Sequence, residues 1–491
     1  MNGSQSFQGF FRCLAGGLAC VAIVYAPWAW GCVWPMPLAG LELLLGAGGV
    51  FWILSRLVPS PKRKIPRILR VCTGWILLQG WFMAFNARSA YDRQTHQLLP
   101  MQPPVAFLPG ASDRSLAVAS MLHITVILLA LLIAVDLMGR RGWRKVIWYL
   151  MAIVGASVAC YGLAARWGWL PAMVHKPDFP TSPFGPFNYH GIAGAFLNLV
   201  IPAQMGLAAL GFMAPRRRRE GIFFTLAGGV TLLGILVNVS RGAVLIGLVQ
   251  IGLLAFLLLR LHMRHRGQMR QSSATVAATG RGKWPVAIAC CVAGLTVIAA
   301  CSFFLNPRWS SFGRYFDTLH SSRVLAWRVA WGMTTSHPIF GTGAGSFKLR
   351  FPISHHWIPA LYSHWIQTFY RPGHHVSQWS YASEDYLQNL VEFGWAGGLA
   401  WAGILWGWLV FPLPTDRADG SDWSSQAVLR SCAWVALLGL FCHATFDFPM
   451  EIASIQLYAM VYLAILYQPP GELTGDARKS AGMSCLSGDV R

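Results

Sequence analysis

Between His374 and Gly398 the chain reads HHVSQWSYASEDYLQNLVEFGWAGG, a polar loop that runs into an apolar helix. Asp385, Gln388, Asn389 and Glu392 fall at i, i+3, i+4 and i+7, so a helix beginning near Ser383 gathers them into one polar stripe. A carboxylate at the centre of a bilayer costs about 3 kcal/mol, so such a stripe faces a cavity or other helices rather than lipid. Groups of this kind can take a proton from a hydroxyl. The candidates in this cluster are His374, His375, Glu384, Asp385 and Glu392.

Other clusters offer the opposite charge. In Asn238-Val239-Ser240-Arg241-Gly242, where one apolar segment turns into the next, Arg241 reads either as an anchor reaching the interface or as an anion ligand. Arg314, Arg323 and Arg328 lie in RYFDTLHSSRVLAWRVAWGMTTSHPIFGTGAGSF. There Arg323, Trp327 and Trp331 share one helical face, as in an amphipathic helix on a membrane, ahead of a glycine-rich turn from Gly341 to Gly345. The turn lacks the strand-before-helix context of a nucleotide site. His443, Asp447 and Glu451 are spaced by four, with Pro449 expected to break the helix between them. The HExxH pattern is absent and no tight ligand set stands out, so neither metal nor cofactor is assigned.

Cations for an anion and a carboxylate or histidine for a base are what a lipid diphosphate leaving group requires where no metal serves. One arginine about 4 Å from a developing charge interacts by roughly 4 kcal/mol at an effective dielectric near 20. Realised only in the transition state, that is at most about a thousandfold in rate. Two arginines can thus take the place of a divalent ion.

The elements that must position these groups are membrane helices. Hydrophobic residues make up 55% and charged residues 12% of 491 positions, and mean hydropathy is +0.47, which excludes an ordinary soluble domain. Apolar windows of about 20 residues fall near Cys13–Val33, Leu38–Leu57, Val71–Phe85, Leu116–Met138, Val146–Arg166, Tyr189–Phe212, Ile222–Val237 and Ala243–Leu259. Pro285–Leu305, Leu390–Val410, Ala427–Cys442 and Glu451–Tyr467 follow, making roughly twelve spans of an all-α integral membrane protein. The first is expected to be a retained helix, since no small-residue cleavage site follows it.

Arg56–Arg70, Arg140–Lys145, Arg216–Arg219 and Arg260–Lys283 fall on one side of this topology, so that side and both termini are expected to be cytoplasmic. The net charge of +21 then reads as topology and contact with anionic lipid headgroups, not as nucleic-acid binding. Cysteines sit mainly in spans with no CxxC pair, as buried structural thiols do. His262–Lys283 and the tail after Gln468 have flexible composition. On the outer side the loop from Asn306 to Asn389 is exceptional at roughly 80 residues. Its aromatics (Trp309, Trp357, Trp365, Tyr370, Trp379 and Tyr381) can stack on sugar rings or lie at the headgroup level. There is no phosphate loop of the GxxxxGK[ST] kind. Transport predicts a polar pathway across the midplane, and mid-span polar residues such as His123, Asn198 and Gln250 are sparse.

FGPFNYHGIAGAFLNLVIP (Phe184–Pro202), SRGAVLIGLV (Ser240–Val249), SRVLAW with HPIFGTGAGSF (Ser322–Phe347) and EDYLQNLVEFGWAGG (Glu384–Gly398) occur in that order. Together they resemble the O-antigen ligase and polymerase superfamily of bacterial membrane glycosyltransferases. The resemblance implies a GT-C-like bundle of about a dozen helices with a large periplasmic loop, and metal-independent transfer of a glycan from undecaprenyl diphosphate. It implies an inner-membrane location, a periplasmic active site, and lipid A-core or another glycan as acceptor. An N-terminal helical region over 1–183, a ligase-like membrane domain over 184–467 with loop 306–389, and a cytoplasmic tail over 468–491 are then expected.

The family's diphosphate-holding arginines map onto Arg241 and Arg323, with Arg314 as a further cation. Many members carry a His-Asn pair just before the DYL sequence, where this chain has Ser383 and Glu384. The base must then be Glu384, Asp385 or a loop histidine, His374 or His375. A polymerase on the same scaffold, or a lipid-linked-sugar transporter, are the alternatives.

Overall fold

The structure, a computed structural model, describes residues 3–58, 64–92, 97–173, 183–238, 240–272, 322–354, 384–410 and 423–468. The expected span Pro285–Leu305 and the loop aromatics named above lie outside the described residues, as does the tail after Gln468.

Helices dominate: α1 Gly3–Trp28, α2 Pro35–Leu57, α3 Arg67–Phe85, α4 Arg114–Met138, α5 Arg141–Arg166, α6 His190–Met213, α7 Arg218–Val237 and α8 Arg241–Ser272. After them come α9 Ser322–Ser336, α10 Phe347–Ser354, α11 Asp385–Ile404, α12 Trp406–Leu409, α13 Trp423–Ala444 and α14 Ala453–Leu466. A two-stranded antiparallel hairpin, β1 Ser89–Asp92 with β2 Gln97–Pro100, pairs Ser89 with Pro100. Among the described residues nine helices are long and apolar enough to cross a membrane. A chain without water around it can span lipid only by satisfying its backbone internally, which a helix does. The protein is an all-α, multi-pass membrane protein.

The centre of the bundle is α6, α13 and α14. Tyr458 and Tyr462 of α14 are fully buried and donate to Ile23 O of α1 (3.1 Å) and Leu199 O of α6 (2.7 Å). The mid-span polar residues are fasteners between helices. Asn198 Nδ2 donates to Ala243 O (2.8 Å), Gln250 Nε2 to Val435 O (2.9 Å), and Gln204 Nε2 to Ala152 O (3.0 Å) and Thr231 Oγ1 (2.9 Å). Such bonds help hold helices together where lipid removes the hydrophobic drive for them to associate.

Arg12 Nε meets Asp136 Oδ2 at 3.1 Å, and Arg56 Nη1 lies 4.0 Å from Asp136 Oδ1. This puts the start of α1 and the ends of α2 and α4 at the same end of the bundle. The opposite end, where α3 finishes and α4, α6, α8, α11 and α14 start, is the site end.

Three expectations need correction. His262–Lys283 is not flexible throughout, because α8 continues to Ser272; its Arg, Met and Gln residues up to there are good helix formers that prolong the apolar helix. The last span starts at Ala453 and not at Glu451, since Pro449 opens a separate 3-10 turn, Pro449–Glu451. The span expected over Leu390–Val410 is not continuous: α11 is interrupted at Gly394 (φ 62°, ψ −169°) and gives way to α12 beyond Ile404.

That interruption is filled by the glycine-rich turn. Thr342 N donates to Val391 O (2.8 Å) and Gly343 N to Glu392 O (2.9 Å), while Trp395 N and Ala396 N donate to Pro338 O (2.8 Å) and Ile339 O (2.9 Å). Gln79 Nε2 of α3 bridges Phe340 O and Phe393 O. Glu392 reaches across, its Oε2 accepting Gly345 N–H (2.8 Å) and its Oε1 Phe347 N–H (3.4 Å). α9 packs Ala326, Val329, Ala330 and Met333 with Phe347, Phe351 and Val391, leaving Trp331 exposed.

Two substitutions test this frame. Asp136→Ala removes the buried carboxylate that Arg12 meets and should lower stability by about 3–5 kcal/mol, read by unfolding in detergent mixtures of rising SDS fraction. At Gly394 only glycine adopts the observed backbone, and a Cβ would lie 2.4 Å from Ile339 O. Gly394→Ala should therefore cost more than about 1–3 kcal/mol and render the 338–346 turn sensitive to protease.

Candidate active site

The last residues of α13 and the link to α14, together residues 443–452, form the floor of the site. Asp447 N donates to His443 O (3.1 Å), and His443 Nε2 lies 3.7 Å from Asp447 Oδ2. Pro449 ends this path and turns Met450 so that its N–H donates to Asp385 Oδ2 at 2.8 Å. From below, Gln456 Nε2 donates to Met450 O (2.5 Å), Gln456 Oε1 meets His123 Nε2 (2.6 Å), and His123 Nδ1 lies 3.6 Å from Glu42 Oε1. A line of polar groups from α2 and α4 thus sets the height of the turn that grips Asp385.

α6 and the α7–α8 corner close against this floor. Tyr189 stacks on Phe448 with ring centres 5.9 Å apart and planes 6° apart. Gly191 leaves room for Asp447, whose Oδ2 would be 2.3 Å from a Cβ there. Asn238 Nδ2 donates to His190 O (2.7 Å), tying the end of α7 to the start of α6. Arg241 is the first residue of α8 and is half-buried. Its neighbour Gly242 admits the Phe446 ring, which would be 2.6 Å from a Cβ. Arg241 is in this way brought to the same link that binds Asp385.

The third side is the start of α11. Glu384 is its N-cap, with Oε2 accepting Leu387 N–H at 2.6 Å. Burial pushes the Glu384 carboxyl above the usual glutamate range, opposed by the N–H groups of Leu387 and Tyr386. Tyr386 OH donates to Phe441 O (2.9 Å) and pins α11 to α13. Asp385 is buried; one oxygen is held by Met450 N–H, and the other, Oδ1, has no hydrogen-bond partner among the described residues. It sits in the repulsive field of Glu451, Asp447 and Glu384. Asp385, Gln388 and Glu392 are buried, so the polar stripe read from the spacing does face protein.

The sequence candidates divide as follows. Glu384 and Asp385 come together at one helix start, and Arg241 approaches the same link from α8. Arg323 lies in the first turn of α9, with its side chain outside the described residues. His374, His375 and Arg314 lie wholly outside them. His443 and Asp447, grouped by spacing but given no role, join the site, as do Tyr189, His190 and Asn238. The last three lie in FNYHG and NVSRG, and a carbonyl of one motif held by an amide of the other is a contact that no periodicity reveals. Among the described residues no group of three or more His, Cys, Asp or Glu is arranged around a metal position.

An acceptor with a buried free oxygen, a second carboxylate that caps the helix beside it, and a cation across a narrow floor make a site for moving a proton near an anion. No curated protein matches the chain. Residues 226–402 match the family model described as O-antigen ligase. That stretch includes the Asn238–Arg241 corner, the glycine turn and the start of α11 with its Gly394 break. Over that stretch, about a third of its length, the chain is similar to the O-antigen ligase family.

Proposed function

We propose that the protein moves an oligo- or polysaccharide from a polyprenyl diphosphate, such as undecaprenyl diphosphate, to a glycan acceptor, lipid A-core or another. In this reading the site end faces the periplasm, the chain sits in the bacterial inner membrane, and both termini are cytoplasmic. The family match supports glycan transfer of the ligase kind in general. The observation that carries the finer reading is the shared floor: residues 443–452 bind Asp385 on one side and pack against the Arg241 corner on the other.

The acceptor hydroxyl attacks the anomeric carbon as the bond from that carbon to the diphosphate oxygen breaks, the electron pair leaving with the diphosphate. The hydroxyl proton passes to a carboxylate. Asp385 suits that role better than Glu384, since its Oδ1 is unengaged whereas Glu384 is spent on the helix cap. Glu384 then positions α11, and His374 or His375 remain loop alternatives. Arg241 and Arg323, with Arg314, hold the diphosphate and balance the charge it gains, which is why the reading needs no metal. Attack opposite the leaving group predicts inversion.

The test is deletion of the gene in its host, with surface glycan and polyprenyl-linked glycan analysed together. Wild type should restore transfer of long chains that otherwise accumulate on the lipid. Arg241→Gln and Asp385→Asn should each lower transfer by roughly 2–4 kcal/mol, or about thirty- to a thousandfold. Single repeats on the acceptor instead indicate a polymerase, and no change in either pool refutes the proposal. Because the base must be ionised and carboxylates here repel one another, transfer should rise with pH through an apparent pKa above the ordinary carboxylate range. Initial rates in membranes from about pH 4 to about pH 8 show this limb.

A further inference from the structure

Beside the glycine turn lies a cationic group that the transfer reading leaves unused. Arg88 leaves α3 with its N–H on Ala111 O (3.0 Å) and its carbonyl accepting Met101 N–H (2.8 Å). Ser112 N and Oγ both donate to Thr342 O (2.9 and 3.1 Å), and the same Oγ accepts Arg350 Nε at 2.8 Å. His337 O accepts Gly341 N–H (3.0 Å) and begins the glycine turn. One short loop segment, 110–112, thus fixes Arg88 through Ala111 and Arg350 through Ser112, with His337 at the turn they border.

The three repel. Burial, then Arg88, lowers the pKa of Arg350; burial, then Arg350 and Arg88, lowers that of His337. Gathering like charges is costly unless something compensates them. No carboxylate among the described residues lies within 4.0 Å of any of the three. Asp113 is next in sequence to Ser112, yet its oxygens accept Tyr91 N–H, Ser115 Oγ–H and Leu116 N–H. Among the described residues Arg350 spends only Nε, on Ser112, which leaves both terminal nitrogens as a planar fork of the shape that takes two oxygens of a phosphate. Arg88 and His337 are exposed and Arg350 half-buried, so a ligand can reach them.

We propose that Arg88, Arg350 and His337 form a second anion site, distinct in residues from Arg241 and Arg323, that takes a phosphate group carried by an acceptor saccharide or by a lipid headgroup at the site end. Its assignment to an acceptor rests on the transfer reading, whereas the anion site itself is independent of turnover. The Ser112 hydroxyl of segment 110–112 orients the fork before the anion arrives, and His337 adds a proton-dependent charge.

The full chain in phosphatidylcholine nanodiscs is titrated with sodium sulfate against sodium chloride at equal ionic strength, reading the thermal unfolding midpoint. Sulfate keeps its charge across the pH range that titrates histidine. Wild type should show a saturating rise, tighter at about pH 5.5 than at about pH 8, with the pH dependence lost in His337→Gln. Arg88→Gln should weaken sulfate roughly tenfold and, without anion, should unfold at the same or a slightly higher temperature because repulsion is relieved. Arg241→Gln should keep the wild-type response, which separates this site from the proposed diphosphate clamp. A second arm replaces about one lipid in ten by phosphatidic acid without sulfate. An Arg88-dependent rise confined to sulfate assigns a soluble or saccharide-borne phosphate, and one in the lipid arm assigns a headgroup. Equal responses of wild type and Arg88→Gln in both arms overturn the proposal.

Discussion

A helix broken inside a membrane protein exposes amides and carbonyls that no water can satisfy, and this constraint organises the site end. At Gly394 the backbone of α11 leaves helical geometry, and the groups released over 391–396 bond to 338–343 of the preceding segment. Buried non-helical backbone is tolerated only where protein groups satisfy it, as here. Glu392, Gln79 and Ser112 complete the enclosure from α11, α3 and the loop after the hairpin. The glycine turn is therefore not a ligand cradle of the nucleotide kind but the partner that makes the break possible. Its placement in turn fixes the direction in which Asp385 enters the bundle.

A second junction, residues 443–452, relates the charged groups to one another. Its amide holds Asp385, its aromatic residues pack against Tyr189 and Gly242, and its carbonyl is supported by Gln456 from within the bundle. Five helix ends therefore meet around a link of a few residues, which places acids on the floor and Arg241 at its side. The acids repel one another, so the proposed base stands in a field that strengthens its hold on a proton, while a bound diphosphate would need cations supplied by separate elements. Charge of both signs is arranged by different segments, which allows the donor and acceptor ends of a reaction to be shaped separately.

Much of the site was legible before any contact was known. The i, i+3, i+4, i+7 spacing of Asp385, Gln388, Asn389 and Glu392 implied a buried stripe because helical periodicity depends only on local geometry. Pro449 implied a break for the same reason. Yet the stripe hid two different functions. Asp385 faces the α13–α14 link and keeps one oxygen free, whereas Glu392 is spent on the amides of Gly345 and Phe347. Both are acids on one helical face, and only their partners tell them apart.

The sequence alone establishes that this is an all-helical membrane protein, where most of its helices run, and which of its motifs resemble those of O-antigen ligases. Those properties follow from hydrophobic length, loop charge and local order of residues, all of which are written along the chain. Only the tertiary structure decides that α11 is broken and not continuous, that Asn198, Gln250 and His123 fasten helices instead of lining a pathway, and that Arg88 and Arg350 are held by adjacent residues, Ala111 and Ser112. Each of these depends on which distant backbone carbonyl or hydroxyl is within reach, as Gln79 of α3 is to Phe393 of α11. Separation in sequence carries no record of that distance, because the packing of apolar helices in lipid is settled by side-chain fit and a few polar contacts rather than by any periodic signal.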